Sequence, residues 1–125
     1  LAQAVGCEVA QIVKSLIFKT GHTHQPILVL VSGANRVQEK KLSDLLQEPV
    51  EKPDAEFVRQ QTGYAIGGVA PVGLVESLKT FVDEDLLKFE EIWAAAGTPN
   101  AVFKLTPAEL VKMTQGKVVS IKIHT

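Results

Sequence analysis

The chain has 125 residues, 46% of them hydrophobic and 22% charged, with a formal net charge of −1. That length and balance suit one globular domain burying roughly two thirds of its unfolded surface, and exclude a bulk polycation that coats nucleic acid. No apolar run approaches the ~18 residues of a membrane-spanning helix; the longest is Pro26 to Val31.

Charge is uneven along the chain. Residues 1–41 carry five basic side chains (Lys14, Lys19, Arg36, Lys40, Lys41) against Glu8 and Glu39, while the remainder is net acidic. That permits a local basic surface, although scatter over solvated faces explains it equally well. A single cysteine, Cys7, rules out an internal disulfide and fits a reducing compartment such as the cytoplasm. The chain starts at leucine, so it reads as beginning inside a longer polypeptide.

Ala2 to Val13 reads as helical with a break at Gly6–Cys7, which leaves Lys14 at a helix end. Ser15 to Lys19 and the β-branched run Pro26 to Val31 read as strands. They form a hairpin around the polar turn Thr20 to Gln25. After the turn Ser32-Gly33-Ala34-Asn35, Val37 to Leu46 places Val37, Leu42, Leu45 and Leu46 among charges, an amphipathic helix. Asp54 caps a second helix, Ala55 to Gln61, which stops at Thr62-Gly63. The glycine-rich stretch G-Y-A-I-G-G-V-A-P-V-G follows at 63–73.

Thr80 to Val82 reads as a strand and Glu84 to Phe89 as a short helix. Two further strands, Glu91 to Ala95 and Ala101 to Leu105, flank the turn A-G-T-P-N. Thr106, Pro107 and Glu109 form a capping box with proline at the first helical position, opening the last helix. Gly116 ends it, and Lys117 to Ile123 alternates as a closing strand. Strands and helices mix without a strict βαβ alternation, which argues for an α+β fold with a mixed sheet. There is no repeat or linker, so residues 1–125 read as one domain.

Most familiar chemistries find no foothold. His22 and His24 sit in the hairpin turn without a second ligand pair at metal spacing. Cys7 has no assignable base to depress its pKa. Neither a G-x-S-x-G elbow nor a phosphate-binding G-x-x-x-x-G-K-[ST] loop occurs. The acidic cluster Asp83-Glu84-Asp85 reads as a solvated helix start. Two features remain. In Gly67-Gly68-Val69-Ala70-Pro71, adjacent glycines let a ligand approach bare backbone amides, the requirement of an oxyanion hole. A tight turn is the plainer reading of that stretch alone. Lys14 before an apolar strand is the second, and by itself it reads as an exposed charge.

Taken together, five segments carry a resemblance: V-A-Q-I-V-K-S-L-I-F (9–18), S-G-A-N-R (32–36), T-G-Y-A-I-G-G-V-A-P-V-G (62–73), F-V-D-E-D-L-L (81–87) and A-A-G-T-P-N-A-V-F (95–103). In the same order and over nearly the whole chain, they resemble the YbaK-like family. That family includes the editing insertion of bacterial prolyl-tRNA synthetase and free-standing trans-editing deacylases. The resemblance implies a mixed, barrel-like sheet flanked by helices, and on it the family's N-terminal strands and first helix are expected to be missing from this sequence. It implies hydrolysis of wrongly charged tRNA, typically proline tRNA carrying a small residue such as alanine, serine or threonine. No metal, cofactor or covalent intermediate is implied. The partners implied are the aminoacylated end of tRNA and an association with prolyl-tRNA synthetase, with neither DNA nor membrane.

Residue by residue, Lys14 matches the family's essential lysine, which orients the substrate and the terminal tRNA ribose and phosphates. Gly67 and Gly68, with Val69, Ala70 and Pro71, match the loop whose amides hold the ester carbonyl. Gly97, Thr98 and Asn100 match a loop shaping the aminoacyl pocket. Many relatives carry histidine where this chain has Asn100, and cysteine-specific members carry aspartate where it has Val102. The second departure disfavours a cysteinyl-tRNA deacylase. Two other classes stay open: a non-catalytic aminoacyl-tRNA or nucleotide-binding module that regulates a synthetase, and an enzyme acting on another small acyl-adenosine-like ester.

Overall fold

A computed structural model describes residues 2–71, 73–74, 77–98 and 100–124. Its centre is the apolar run that the sequence marks out. Strand β2 (Pro26–Ser32) is buried from Ile27 onward because both of its faces are covered. That is why it reads as a continuous hydrophobic stretch rather than an alternating one. It pairs antiparallel with β1 (Val13–Thr20) across the expected hairpin, Val13 opposite Ser32 and Lys19 opposite Pro26.

On the other side of β2 the pairing turns parallel, to β4 (Lys79–Asp83), which in turn pairs parallel with β7 (Lys117–Val119). A two-residue strand, β3 (Val50–Glu51), closes the opposite edge against Lys19 and Thr20. The resulting order is β3-β1-β2-β4-β7, and β5 (Ile92–Ala95) with β6 (Val102–Leu105) forms a separate antiparallel pair. The fold is therefore α+β with a mixed sheet. The sheet is open: β3 and β7 are its edges, and no closed barrel forms among the described residues.

Two clusters pack on the two faces. Leu28, Leu30 and Val82 point to one, together with Val58, Val69, Ile92, Ala94, Leu105 and Leu110. Ile27, Val29 and Phe81 point to the other and meet Leu42 and Ile121. The helices follow their local signals. Helix α2 (Glu39–Leu46) contributes Leu42. Helix α3 (Ala55–Thr62) is capped by Asp54, whose side chain accepts from the Phe57 amide, and it ends at Gly63 in a left-handed conformation. Helix α4 (Pro107–Thr114) has the Thr106–Glu109 capping box.

Three expectations are corrected. The N-terminal segment is a short helix α1 (Ala2–Val5), a break at Gly6 and a one-turn 3₁₀ segment Val9–Gln11, and β1 already begins at Val13. Lys14 is thus the second residue of a strand and not the end of a helix, because pairing with β2 holds it extended. The closing strand is only three residues long; beyond it Lys122 makes an isolated bridge to Val37. The third correction concerns Asp83 and Asp85, which are buried and not solvated.

Candidate active site

Between the β1 face of the sheet, α3, the glycine-rich loop and the β5–β6 pair lies a cavity of about 510 Å³. Its walls are largely aliphatic. β1 supplies Val13, Ser15 and Ile17, α3 supplies Val58, the loop supplies Ile66, Gly67 and Val69, and the hairpin supplies Ala95 and Val102. Lys14 lines it as well, with Lys52 and Pro53 from the segment leading into α3. The strand lysine and part of the glycine-rich loop, 53 residues apart in sequence, therefore share one cavity.

Local geometry explains how the pieces reach it. Gly33 allows the turn after β2 to press against the 3₁₀ segment: a Cβ there would lie 2.5 Å from the Val9 carbonyl oxygen. Its amide donates to the Ile12 carbonyl at 2.7 Å. This closure carries Asn35 to Lys14, whose ammonium donates to the Asn35 carbonyl oxygen. Gly67 has φ +85°, a left-handed conformation that a side chain would strain. The Gly68 amide is committed to the Ala65 carbonyl at 3.0 Å. Among the described residues the amides of Gly67 and Val69 have no backbone acceptor.

The other residues singled out from sequence are placed differently. Gly68, Ala70 and Pro71 are buried and do not line the cavity; Pro71 lines a second one of about 210 Å³ with Met113 and Thr80. Gly97 packs against the ring of Tyr64, which ties the A-G-T-P-N turn to the glycine-rich stretch. Thr98 and Asn100 are exposed and outside the lining, which the hairpin reaches through Ala95 and Val102 instead. Pro99 of that turn and Val72 of the glycine-rich stretch lie outside the described residues. His22 and His24 are exposed in the β1–β2 turn, where Glu48 accepts from the His22 and Thr23 amides.

Beneath Lys14 is a polar cluster that the sequence reading missed. Asp83, fully buried at the end of β4, accepts from the Ser32 amide at 3.1 Å, the Asn35 side-chain amide at 2.8 Å and the Asp85 amide at 3.0 Å. The Asn35 side chain also donates to Asp85 at 2.8 Å. Asp85 is ion-paired with Lys122 at 2.6 Å and Lys88 at 2.8 Å. Hydrogen bonds from Lys122, then Lys88, then Asn35 hold the Asp85 carboxyl far below the usual carboxylate range. Burial holds the Lys14 ammonium below the ordinary lysine range. Nearby Arg36 lowers it further, and Asp83 opposes both. A signal existed: a carboxylate directly after an unbroken buried strand, opposite a turn asparagine, calls for a buried partner.

The comparisons agree with this architecture. A family profile described as an aminoacyl-tRNA editing domain matches residues 1–113. The uncharacterized protein YwhH of Bacillus subtilis (strain 168) is 32% identical over 117 residues, covering 94% of this chain and 74% of that protein. EbsC of Enterococcus faecalis (strain ATCC 700802 / V583), a candidate Cys-tRNA(Pro)/Cys-tRNA(Cys) deacylase, is 25% identical over 122 residues, 97% of this chain and 74% of its own length. The crystal structure of a candidate trans-editing enzyme for prolyl-tRNA synthetase superposes with a TM-score of 0.94 at 48% identity. It covers 98% of this chain and 77% of that one.

Proposed function

The chain belongs to the aminoacyl-tRNA editing domain family, and from that premise we propose that it is a trans-editing hydrolase of the cytoplasm. On this reading it cuts the ester between a small wrong amino acid and proline tRNA, alone or beside prolyl-tRNA synthetase. The observation that carries the proposal is the cavity that Lys14 shares with Gly67 and Val69. On this reading a wall of valines and isoleucines admits an amino-acid side chain, the loop amides are set to meet the ester, and a lysine stands at the same site.

An aminoacyl ester is already reactive, so its hydrolysis calls for positioning and polarisation more than for a strong base. Among the described residues the Gly67 and Val69 amides, unlike that of Gly68, which serves the turn itself, have no backbone acceptor, and they are the donors this reading assigns to the carbonyl oxygen. Each donor aimed at the developing oxyanion contributes roughly 3 kcal/mol by analogy with other oxyanion holes. Holding water and ester in contact geometry adds an entropic gain. Lys14 supplies a fixed positive charge for the terminal ribose and phosphates, its direction set by the Asn35 carbonyl. Water is the nucleophile: its oxygen bonds to the carbonyl carbon, the ester C–O bond breaks, and the proton passes to the released ribose hydroxyl. Selection is by size, and one or two methylenes are worth only ~1–3 kcal/mol.

The test is deacylation of proline tRNA charged separately with alanine, serine, threonine, cysteine and proline. Release of small residues with proline spared, and loss of that release in Lys14→Ala, is the expected result. Binding of the charged tRNA without turnover would replace the hydrolase with a regulatory binding module.

A further inference from the structure

The turn that receives Lys14 also borders a groove. Asn35 accepts from the Lys14 ammonium through its backbone carbonyl. With Ala34 and Arg36 it lines a cleft of about 440 Å³, and Lys122, Ile123 and His124 complete the lining. Paired backbone holds these two segments together. The Ile123 amide donates to the Arg36 carbonyl at 2.9 Å, the Gln38 amide donates to the Ile121 carbonyl at 2.7 Å, and Val37 bridges Lys122. The Lys41 ammonium donates to the Lys122 carbonyl at 3.0 Å and brings a further cation to the same place. The groove is thus a built part of the fold, joined to the candidate active site through Asn35.

Its chemistry is the opposite of the aliphatic cavity's. Arg36 and Lys122 line it as cations, His124 adds ring nitrogens, and no carboxylate lines it among the described residues. The carboxylates behind the turn are already matched. Asp85 pairs with Lys122 at 2.6 Å and Lys88 at 2.8 Å, and Asp83 accepts three hydrogen bonds. Arg36 is exposed and makes no ion pair among the described residues. It also stands near enough to Lys14 to disfavour the charge on that ammonium. Two cations set close together without a counter-charge of their own are relieved by an anion, and the planar fork of an arginine fits two oxygens of a phosphate.

We propose that this groove binds a backbone phosphate of the tRNA acceptor end, with Arg36 as its principal ligand, so that the strand leaves the aliphatic cavity past Lys14 and crosses the Asn35 turn. The inference rests on the editing reading above and gives its RNA substrate a path. With the ester in the cavity, the nucleotides behind it must run out over the surface. Over the Asn35 turn they meet Arg36 and Lys122. On the Lys52 side they would meet a cleft in which Glu51, Asp54 and Glu56 outnumber Lys19 and Lys52, and like charge disfavours that course. A phosphate contact of this kind positions the strand and takes no part in bond breaking, so it acts through binding.

The experiment titrates uncharged proline tRNA onto the wild-type chain, Arg36→Gln and Arg36→Lys over a range of salt, and measures kcat and KM on the alanyl-charged tRNA, with thermal melts as controls. Lys112→Gln, at an exposed position of α4 outside the groove, removes the same charge elsewhere. Arg36→Gln is expected to bind roughly tenfold more weakly, to flatten the slope of log affinity against log salt by about 0.7, and to lose rate through KM more than through kcat. Arg36→Lys should keep the wild-type slope, because the charge stays, and bind more weakly, because the fork is gone. Lys112→Gln should match the wild type. A salt dependence in Arg36→Gln parallel to wild type, an equal loss in Lys112→Gln, or a loss confined to kcat overturns the groove and leaves the editing reading standing. An Arg36-dependent slope together with no release of any amino acid by the wild type does the reverse. If Arg36→Gln melts early, Arg36→Lys decides alone: a variant with an unchanged melt that binds the tRNA as tightly as wild type overturns the proposal.

Discussion

Val13 and Ile17 lie along a cavity walled largely by valine, isoleucine and glycine, and the buried Ser15 hydroxyl between them has no hydrogen-bond partner among the described residues. Next to them, the Lys14 ammonium reaches a turn whose asparagine is clamped between two aspartates, each of which accepts several hydrogen bonds. One region is unsatisfied and the other saturated, although both are built on the same few residues of one strand. A saturated cluster fixes charges in place, and breaking it leaves buried groups unpaired, so changes there should cost stability first. The exposed part of the cavity lining, such as Gly67, lies outside the core clusters, so changes there should cost activity or selectivity first.

The sharpest way to break this contrast is at Asp83. Asp83→Ala strips the acceptor from three buried donors and should destabilise the fold by about 3 kcal/mol, read from a urea melt. A melt within experimental scatter of wild type would mean that the cluster does not hold the turn. Lys14→Ala should do the reverse, lowering deacylation about a hundredfold (on the order of 2.7 kcal/mol) with a nearly unchanged melt. In the wild type, activity that needs charged Lys14 should fall on the alkaline side at a pH below the ordinary lysine range, because burial lowers its pKa.

Gly67→Ala sharpens the comparison from the cavity side. A side chain at φ +85° costs about 1–2 kcal/mol, and the displaced amide should lower kcat more than it raises KM. An unchanged kcat would remove Gly67 from the carbonyl site. A smaller effect comes from Asp85, whose folded pKa lies below its unfolded value of ~3.9. Its contribution is complete above that value and is lost as pH falls toward the depressed folded pKa. Lys122→Met, which removes a 2.6 Å partner, should therefore flatten the loss of stability below about pH 4. A curve parallel to wild type would deny the linkage. Least of all should come from Lys40→Ala, which breaks an exposed i,i+4 pair with Asp44 at 3.1 Å and should change stability by under ~0.5 kcal/mol.

How much of this was legible depended on range. Capping at Asp54 and Thr106 was readable because the donor and acceptor lie within three residues of each other. The buried centre was readable because a strand covered on both faces has no polar positions to alternate. The two-residue β3 has no pattern of its own and exists only because Lys19 and Thr20 are there to pair with. Of the loop residues taken as a unit, Gly67 and Val69 reach the cavity while Gly68, Ala70 and Pro71 do not, and a run of consecutive residues cannot announce such a split.

By itself, the sequence determined the local turns, the caps, the hydrophobic centre and the five motif segments whose order marks the family. Only the tertiary structure decided that β4 runs parallel to β2, that Asp83 and Asp85 are buried around Asn35, and that Lys14 and Gly67 line one cavity. Those outcomes depend on contacts between residues about 50 positions apart. A side chain's own neighbours in the chain set its conformation, but whether it meets water, a counter-charge or an empty space is set by whatever folds back against it.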